Sequence, residues 1–497
     1  MPATPSKVLP LVLAGAFALT YIFSKLQDPA PTITDWIVLV IALLAIFTWA
    51  IKKGVPNAQT YGIVSMVRFQ KPLKWLDAIP HRPRLWGWFS DLGMVLGFGG
   101  IGADYLWGRA FKSRIKRLAL FAGVFLGLGL LLGNQSNPLI PISPLALQAS
   151  FGLFGFAGFV ITSLFYSGID ILEKMFLGKS ACAAVAPVIP GVSLPNVPLT
   201  VPLHGWLSFL IILILHEGAH GVLARQVGAK LKSCGLLLAG ILPIGAFVEP
   251  DEKDIQRLES KNPKEALRVY AAGASANTFF FILGTILSLL AGAFIITPFI
   301  APYFDHVQRE RTEGLYVQSV ESQIDLCGSV FPAPAAGILE PGMQVLAVNE
   351  TPIHILNDYR KAVEGKKEFQ LTYSINGQTQ THPFKVNELG RIGVVFEERE
   401  KPGYTPPQNY EWFAGIFSFL ASFIAWLLLL NFLVGVANFM PMEPFDGGKI
   451  AKIMLTPYLA FLQLPEKDTM KLVSKIFVGV LLVLFIINAL PLFFPAS

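Results

Sequence analysis

Long apolar stretches recur along this chain, separated by short polar breaks, and a single block of mixed pattern interrupts them. Runs of roughly 17–25 mostly apolar residues have the length of a membrane-crossing helix. They occur at 8–24, 36–51, 118–133, 151–167, 199–219, 274–300, 412–439 and 473–494. Two further stretches fit less well. Residues 87–107 are apolar but rich in glycine, and they contain Asp91 and Asp104. Residues 233–248 (SCGLLLAGILPIGAFV) are too short and too broken by glycine and proline for a span. They read as strand or as a re-entrant loop, backbone that survives at membrane depth only when protein covers it. Repeated prolines and Gly191 exclude a helix over 181–203, which reads as a surface loop feeding the next apolar run.

From about 303 to 411 the pattern changes to short alternating strands, GLYVQSVE, MQVLAVNETPI, FQLTYSI and GRIGVVFE. Turn signals at Pro341-Gly342 and Asn376-Gly377 separate them, and one short amphipathic helix fits ILNDYRKAVEG. The expected fold is an all-α polytopic membrane protein of about eight transmembrane helices with a small, mostly-β soluble insert. Its expected divisions are residues 1–180, 181–302, 303–411 and 412–497. The start, KVLPLVLAGAFALTYIFSK, has the outline of a signal peptide. Its small residues Ala14-Gly15-Ala16 lie inside the apolar core rather than after it, so a retained helix is expected.

Composition agrees with the pattern. Of 497 residues, 53% are hydrophobic and 14% charged, against about 25% charged in ordinary soluble domains. Mean hydropathy is +0.55. The net charge of +6 is carried by clusters beside apolar runs, such as Lys112, Arg114, Lys116 and Arg117. Such an excess marks cytoplasmic loops and anionic lipid contact. No basic-aromatic strip supports nucleic-acid binding. Cys182, Cys234 and Cys327 lie far apart and form neither a disulfide framework nor a Cys-x-x-Cys site.

One apolar run flows directly into chemistry: WLSFLIILILHEGAHG, residues 206–221. On a helix His216 and His220 point to one face, the spacing of a zinc-binding His-Glu-x-x-His motif. Glu217 can take a proton from a metal-polarised water. A catalytic zinc needs a third protein ligand. The best candidate is Asp446, in NFMPMEPFDGG (438–448), where Pro441 and Pro444 break a long apolar helix and unwound backbone presents the carboxylate. Gly447 and Gly448 are expected to permit a turn and close approach. Asn277 and Asn438 are candidate supports of the site, and Asn438 a candidate oxyanion donor. Gly245-Ala246-Phe247-Val248 reads either as a strand edge pairing with an extended substrate or as a buried re-entrant turn. The small residues 271–276 suit tight helix packing. The expected chemistry is hydrolysis at or inside a membrane, with one Zn²⁺ per chain.

HEGAH at 216–220 together with Asn438-x-x-Pro441-x-x-x-x-Asp446-Gly447-Gly448 resembles the site-2 protease family of intramembrane zinc metalloproteases. PIGAFV (243–248) and AAGASAN (271–277) resemble other segments of that family. PAPAAGILEPGMQVLAVNETPI (332–353) resembles a PDZ domain, which family members often carry at this point. The resemblance covers residues 181–494, and the first 180 have no counterpart in the minimal family core. It implies His216, His220 and Asp446 as ligands, Glu217 as base, and single-pass membrane proteins in the lipid bilayer as substrates. A peptide ligand for the PDZ-like insert is a further implied partner. Many bacterial members have a second glycine where Ala246 stands and a proline near Ser275, departures that touch no ligand. Charge near Arg225, Lys230 and Lys232 places the zinc site toward the cytoplasmic side of a cell membrane and the insert outside. The alternative reading is a non-catalytic membrane scaffold with a structural zinc site. A transporter leaves the histidine motif unexplained, and no inverted repeat is evident.

Overall fold

The computed structural model describes residues 33–55, 58–132, 143–240 and 242–494. The apolar run at 8–24, expected as a first span, lies outside the described residues. The chain opens with helix α1 (Ile33–Gly54), strands β1 (Gln59–Tyr61) and β2 (Val64–Phe69) and the short helix α2 (Lys71–Asp77). Helices α3 (Pro83–Leu106), α4 (Arg114–Leu131) and α5 (Pro144–Phe176) follow. Residues 181–203 contain no helix or strand, as their prolines require. Then come α6 (Gly205–Gln226), β3 (Leu231–Ala239), β4 (Leu242–Pro250), α7 (Glu252–Lys261) and α8 (Pro263–Ala291). Among the described residues five helices are long and apolar enough to cross a membrane: Pro144–Phe176, Gly205–Gln226, Pro263–Arg311, Tyr410–Asn438 and Glu466–Leu492. Helix is the form that satisfies every backbone polar group within the segment in lipid.

Two of the apolar stretches are not simple spans. Gly99 in α3 has φ 56° and ψ −140°, and Gly155 in α5 has φ 54° and ψ −141°. A side chain at either position would be strained, and each helix folds back there. The rings of Trp88 and Trp107 lie 5.8 Å apart, whereas a straight helix would separate them by about 28 Å. Lys264 Nζ reaches both Asp91 Oδ2 (3.6 Å) and Leu106 O (3.3 Å) from one place. Residues 87–107, left open as a span, therefore form a re-entrant hairpin whose ends emerge together. In α5, Ala146 lines one groove with Thr162 and Tyr166, so the expected span at 151–167 is itself bent at Gly155. The two tips touch: a Cβ on Gly99 would lie 2.6 Å from Gly152 O and 2.7 Å from Gly155 N. Both tips carry Phe-Gly-x-x-Gly, at 98–102 and 154–158, a pattern too short to register as a repeat.

The stretch 233–248 resolves as strand. β1, β2, β3 and β4 form an antiparallel sheet in that order, with β4 at one edge. Leu237 pairs with Gly245 and Cys234 with Val248.

α8 continues through a π-helical segment (Gly292–Ile300) into α9 (Ala301–Arg311), so the mixed-pattern block starts as helix and its first strand begins at Thr312 rather than near 303. The insert comprises β5 (Thr312–Val320), the hairpin β6 (Gln323–Leu326) and β7 (Ser329–Pro332), β8 (Gln344–Val348), β9 (Thr351–Pro352), helix α10 (Leu356–Val363), β10 (Glu368–Ile375), β11 (Gln378–Lys385) and β12 (Val394–Glu400). Its main sheet runs β11-β10-β8-β5-β12, with β9 on β8. Period-two alternation sends Leu315, Val317, Val345 and Leu371 into one core. α11 (Tyr410–Asn438), α12 (Asp446–Leu455) and α13 (Glu466–Ala489) complete the chain.

The insert is held on three sides. Arg309 of α9 pairs with both carboxylate oxygens of Asp358 in α10. Arg311 pairs with Glu400 and Glu411, and Phe304 stacks on Phe413 of α11 at 5.6 Å. Cys182 and Cys327 form a disulfide across 145 residues, which overturns the expectation of unpaired cysteines. It ties the β6–β7 turn to the loop preceding α6. Cys234 is free and buried.

Asp358 makes the α9 junction sensitive to pH. Burial pushes its carboxyl up, but Arg309 and the backbone N–H groups of His354 and Ile355 outweigh this and hold it below the ordinary range. A carboxylate lowered on folding contributes stability above its unfolded value of ~3.9, and that stability is lost as pH falls through the folded value. Asp358→Asn should therefore speed amide hydrogen exchange of residues 354–363 at pH 7, by about fivefold for a loss of ~1 kcal/mol. The wild type should keep its protection until the pH drops below ~4. Equal exchange in the two proteins at pH 7 would remove the junction from the account.

Candidate metal centre

α6 is almost entirely apolar from Trp206 to Leu215, and His216, Glu217 and His220 interrupt it before the buried apolar residues Val222, Leu223 and Ala224. His216 is buried and His220 nearly so. The i,i+4 spacing puts their rings on one face, edge to face with centroids 4.9 Å apart. On the other side of the chain, α11 ends at Asn438, and residues 439–445 turn sharply before α12 starts at Asp446. The carboxylate therefore stands in the first turn of a short helix, not on unwound backbone as expected. Gly447 and Gly448 serve close approach rather than a turn: both are helical, and a Cβ on either would overlap backbone of residues 439–443.

Three atoms converge. His216 Nε2 lies 3.3 Å from His220 Nε2, and Asp446 Oδ2 lies 3.2 Å and 3.1 Å from them. Zinc bonds of 2.0–2.1 Å arranged tetrahedrally put ligand atoms about 3.3–3.4 Å apart, so the triangle has the size of one face of such a site. His220 Nδ1 meets Val269 O at 2.7 Å. A carbonyl only accepts, so Nδ1 carries the proton and Nε2 presents its lone pair to the triangle. Gly273 supplies the space: a Cβ there would sit 2.5 Å from both Nε2 atoms. His216, Glu217 and His220 also form a group able to hold a metal ion. Converging lone pairs, a carboxylate and a void that a methyl group would fill suit a small divalent cation.

Glu217 reaches the sheet with one carboxylate oxygen while a carboxylate oxygen stays within 4.8 Å of the His216 and His220 donor nitrogens. Val248 N–H donates to Glu217 Oε2 at 3.0 Å. That bond fixes the phase of β4. In an antiparallel ladder, residues alternate between facing the partner strand and facing away. Since Val248 N–H faces away from β3, Gly245 and Phe247 direct their backbone groups to β3 and Ala246 directs its own to the open side. Of the four residues read as a substrate edge, Ala246 thus has backbone groups on the open side that Glu217 does not use.

The two asparagines fare differently. Asn438 Nδ2 donates to Val434 O at 2.9 Å, which holds the helix end. Asn277 is fully buried on α8, one turn beyond Gly273, and neither of its amide atoms has a partner among the described residues. Gly435 of α11 lets the helices close there, its Cβ position 3.3 Å from Asn277 Cβ. Residue reasoning missed Val269, whose role is a backbone carbonyl and leaves no mark in the side-chain pattern. Gly273 was visible only as one small residue among several.

A model of peptidase family M50 matches residues 205–485, more than half of the chain, and the matched region contains His216, Glu217, His220 and Asp446. An uncharacterized protein of Methanocaldococcus jannaschii is 26% identical over 325 residues, 64% of this chain and 72% of the relative. A membrane-bound transcription factor site-2 protease homolog of Arabidopsis thaliana is 27% identical over 147 residues, 30% of this chain. The match spans only 24% of the length of the Arabidopsis protein.

Proposed function

Because this chain belongs to peptidase family M50, the site-2 protease family, we propose that it is a zinc endopeptidase cleaving single-pass membrane proteins within the bilayer. The observation that carries this reading is the convergence of His216, His220 and Asp446, from two separate apolar segments, with Glu217 beside an open strand edge. His216, His220 and Asp446 would hold the ion. When bound, zinc would supply Lewis acidity, moving the pKa of water from ~15.7 toward ~7. Glu217, anchored through Oε2 by Val248, takes the proton from the attacking water and delivers it to the leaving amine. Asp446 offsets part of the ion's charge, which matters at low dielectric. Ala246 offers its backbone to an extended substrate, and Asn277 offers an unpartnered amide nearby.

The insert reads as PDZ-like. A cleft of about 560 Å³ lies between the free edge of β12 and α10, lined among others by Tyr359, Val363, Arg391 and Val395, and it suits a peptide added as a further strand. The Cys182–Cys327 disulfide favours an oxidising compartment for the insert and the loop before α6. Arg225, Lys230 and Lys232 at the other end of α6 favour the cytoplasmic side for the metal centre.

The test is cleavage of a membrane-spanning reporter by the purified protein. Chelation should abolish it and zinc should restore it. A helical peptide bond is shielded by its own turns, so the substrate must unwind first. A Gly in the reporter helix should raise the rate about fivefold, from its ~1 kcal/mol helix penalty, and Pro should raise it more. A polyleucine span cut as fast as a Gly- or Pro-containing one would sink the unwinding step. Cleavage insensitive to chelation would sink the metal.

A further inference from the structure

We propose that the re-entrant hairpin α3 is a brace that sets the distance between the two halves of the metal site, with Gly97 and Phe439 as positioning residues for Asp446. This rests on the reading of Asp446 as a ligand.

The hairpin's entering arm is fastened to the histidine half. Asp91 accepts from Arg268 Nε at 2.8 Å and Nη2 at 2.7 Å, and Ser90 Oγ donates to Arg268 O at 3.0 Å. Arg268 immediately precedes Val269, whose carbonyl holds His220. One turn of α3 further on, a Cβ on Gly93 would overlap Ser275 Oγ, so α3 lies against the same turn of α8 as Gly273. The returning arm is fastened to the aspartate half. Asp104 accepts from Tyr458 Oη at 2.6 Å, just beyond α12, and takes a bidentate pair from Arg117 at 2.5 Å. Both carboxylates are buried and both are fully paired, the condition for acids at this depth.

Between these fastenings the hairpin packs on Phe439, the first residue of the turn that leads to Asp446. Gly97 follows Gly93 by four positions and shares its face. A Cβ on Gly97 would lie 2.5 Å from Phe439 Cε1 and 2.7 Å from Cγ. Phe439 cannot swing aside. It is fully buried, edge-on to Phe98 at 6.3 Å and stacked on Phe156 of the second hairpin at 6.2 Å. Its backbone in turn touches Gly447, the neighbour of Asp446. A methyl group on Gly97 must therefore push Phe439, and through it the carboxylate, away from the histidines. Residues 83–107, outside the matched family region, thereby become part of the catalytic unit.

The experiment compares Gly97→Ala, Phe439→Leu and the double variant in the full chain, reading zinc retention against a competing chelator together with reporter cleavage. Gly97→Ala should weaken zinc retention at least about tenfold, the scale seen for residues that orient metal ligands. Phe439→Leu makes room for the methyl, so the double variant should recover most of the loss. Gly123→Ala, at a position where a Cβ meets nothing within 4 Å outside its own helix among the described residues, controls for a general effect of the substitution in a helix. Wild-type retention in Gly97→Ala overturns the proposal. So does a loss that Phe439→Leu fails to repair, including one caused by misfolding. Should the wild type itself bind no zinc, the metal reading fails before the brace is tested.

Discussion

Glu217→Gln should abolish cleavage of the membrane-spanning reporter while the zinc content stays at the wild-type level. The substitution keeps the shape of the side chain, and a glutamine oxygen can still accept from Val248 N–H as Glu217 Oε2 does at 3.0 Å. What it removes is the capacity to take a proton. General acid–base catalysis contributes typically ~10²–10⁴ in rate, and a residue that serves first as base and then as acid should cost the upper part of that range. Zinc retention is the control, because the proposed ligands are the two Nε2 atoms and Asp446 Oδ2, and glutamine leaves all three in place. Cleavage at the wild-type rate would remove Glu217 as the base. A wild type that binds zinc and cleaves no membrane-spanning peptide would instead favour the scaffold reading, with the insert cleft as its working surface.

The second large effect is expected at Asp446. Asp446→Ala should cut zinc affinity by more than about 100-fold, since changes to residues that merely orient ligands already cost 10–100-fold. Activity should fall with it. Asp446→Asn separates the two contributions of this side chain. It keeps an oxygen at the same place but removes the negative charge, so partial zinc binding with little activity would mean that charge matters beyond geometry. Competition with a chromophoric chelator reads the affinity directly. An Asp446→Ala protein that holds zinc as tightly as the wild type would show that the third ligand lies elsewhere.

The candidate site was legible because its motifs are local. HEGAH offers two candidate donors and a candidate base within five residues, and the i,i+4 spacing alone puts the two histidines on one face. Asp446 could be named because prolines and glycines around a carboxylate in an apolar setting are hard to explain otherwise. The insert was legible from period-two alternation and its turn signals. For 233–248 the sequence permits strand or re-entrant loop, since short apolar runs do not distinguish strand from buried loop.

Other features had no local signature. The disulfide joins residues 145 apart, and nothing near Cys182 or Cys327 announces it. The bends at Gly99 and Gly155 look from composition like glycine-rich spans, because φ is invisible in a residue name. Asp91 and Asp104 are misfits within an apolar run, the one trace in the sequence of a buried network with Arg268, Arg117 and Tyr458.

The chain's order of residues was enough to point to the family and the membrane setting and to single out His216, Glu217, His220 and Asp446 as candidates, because each motif that carries them is only a few positions long. Distance between the halves of the site belongs to a different level. His220 and Asp446 meet across 226 residues, and what brings them to 3.1 Å is packing: a carbonyl of Val269, the empty place at Gly273, and two folded-back helices pressing on Phe439. Such contacts depend on shape summed over many side chains, and no spacing along the chain encodes them.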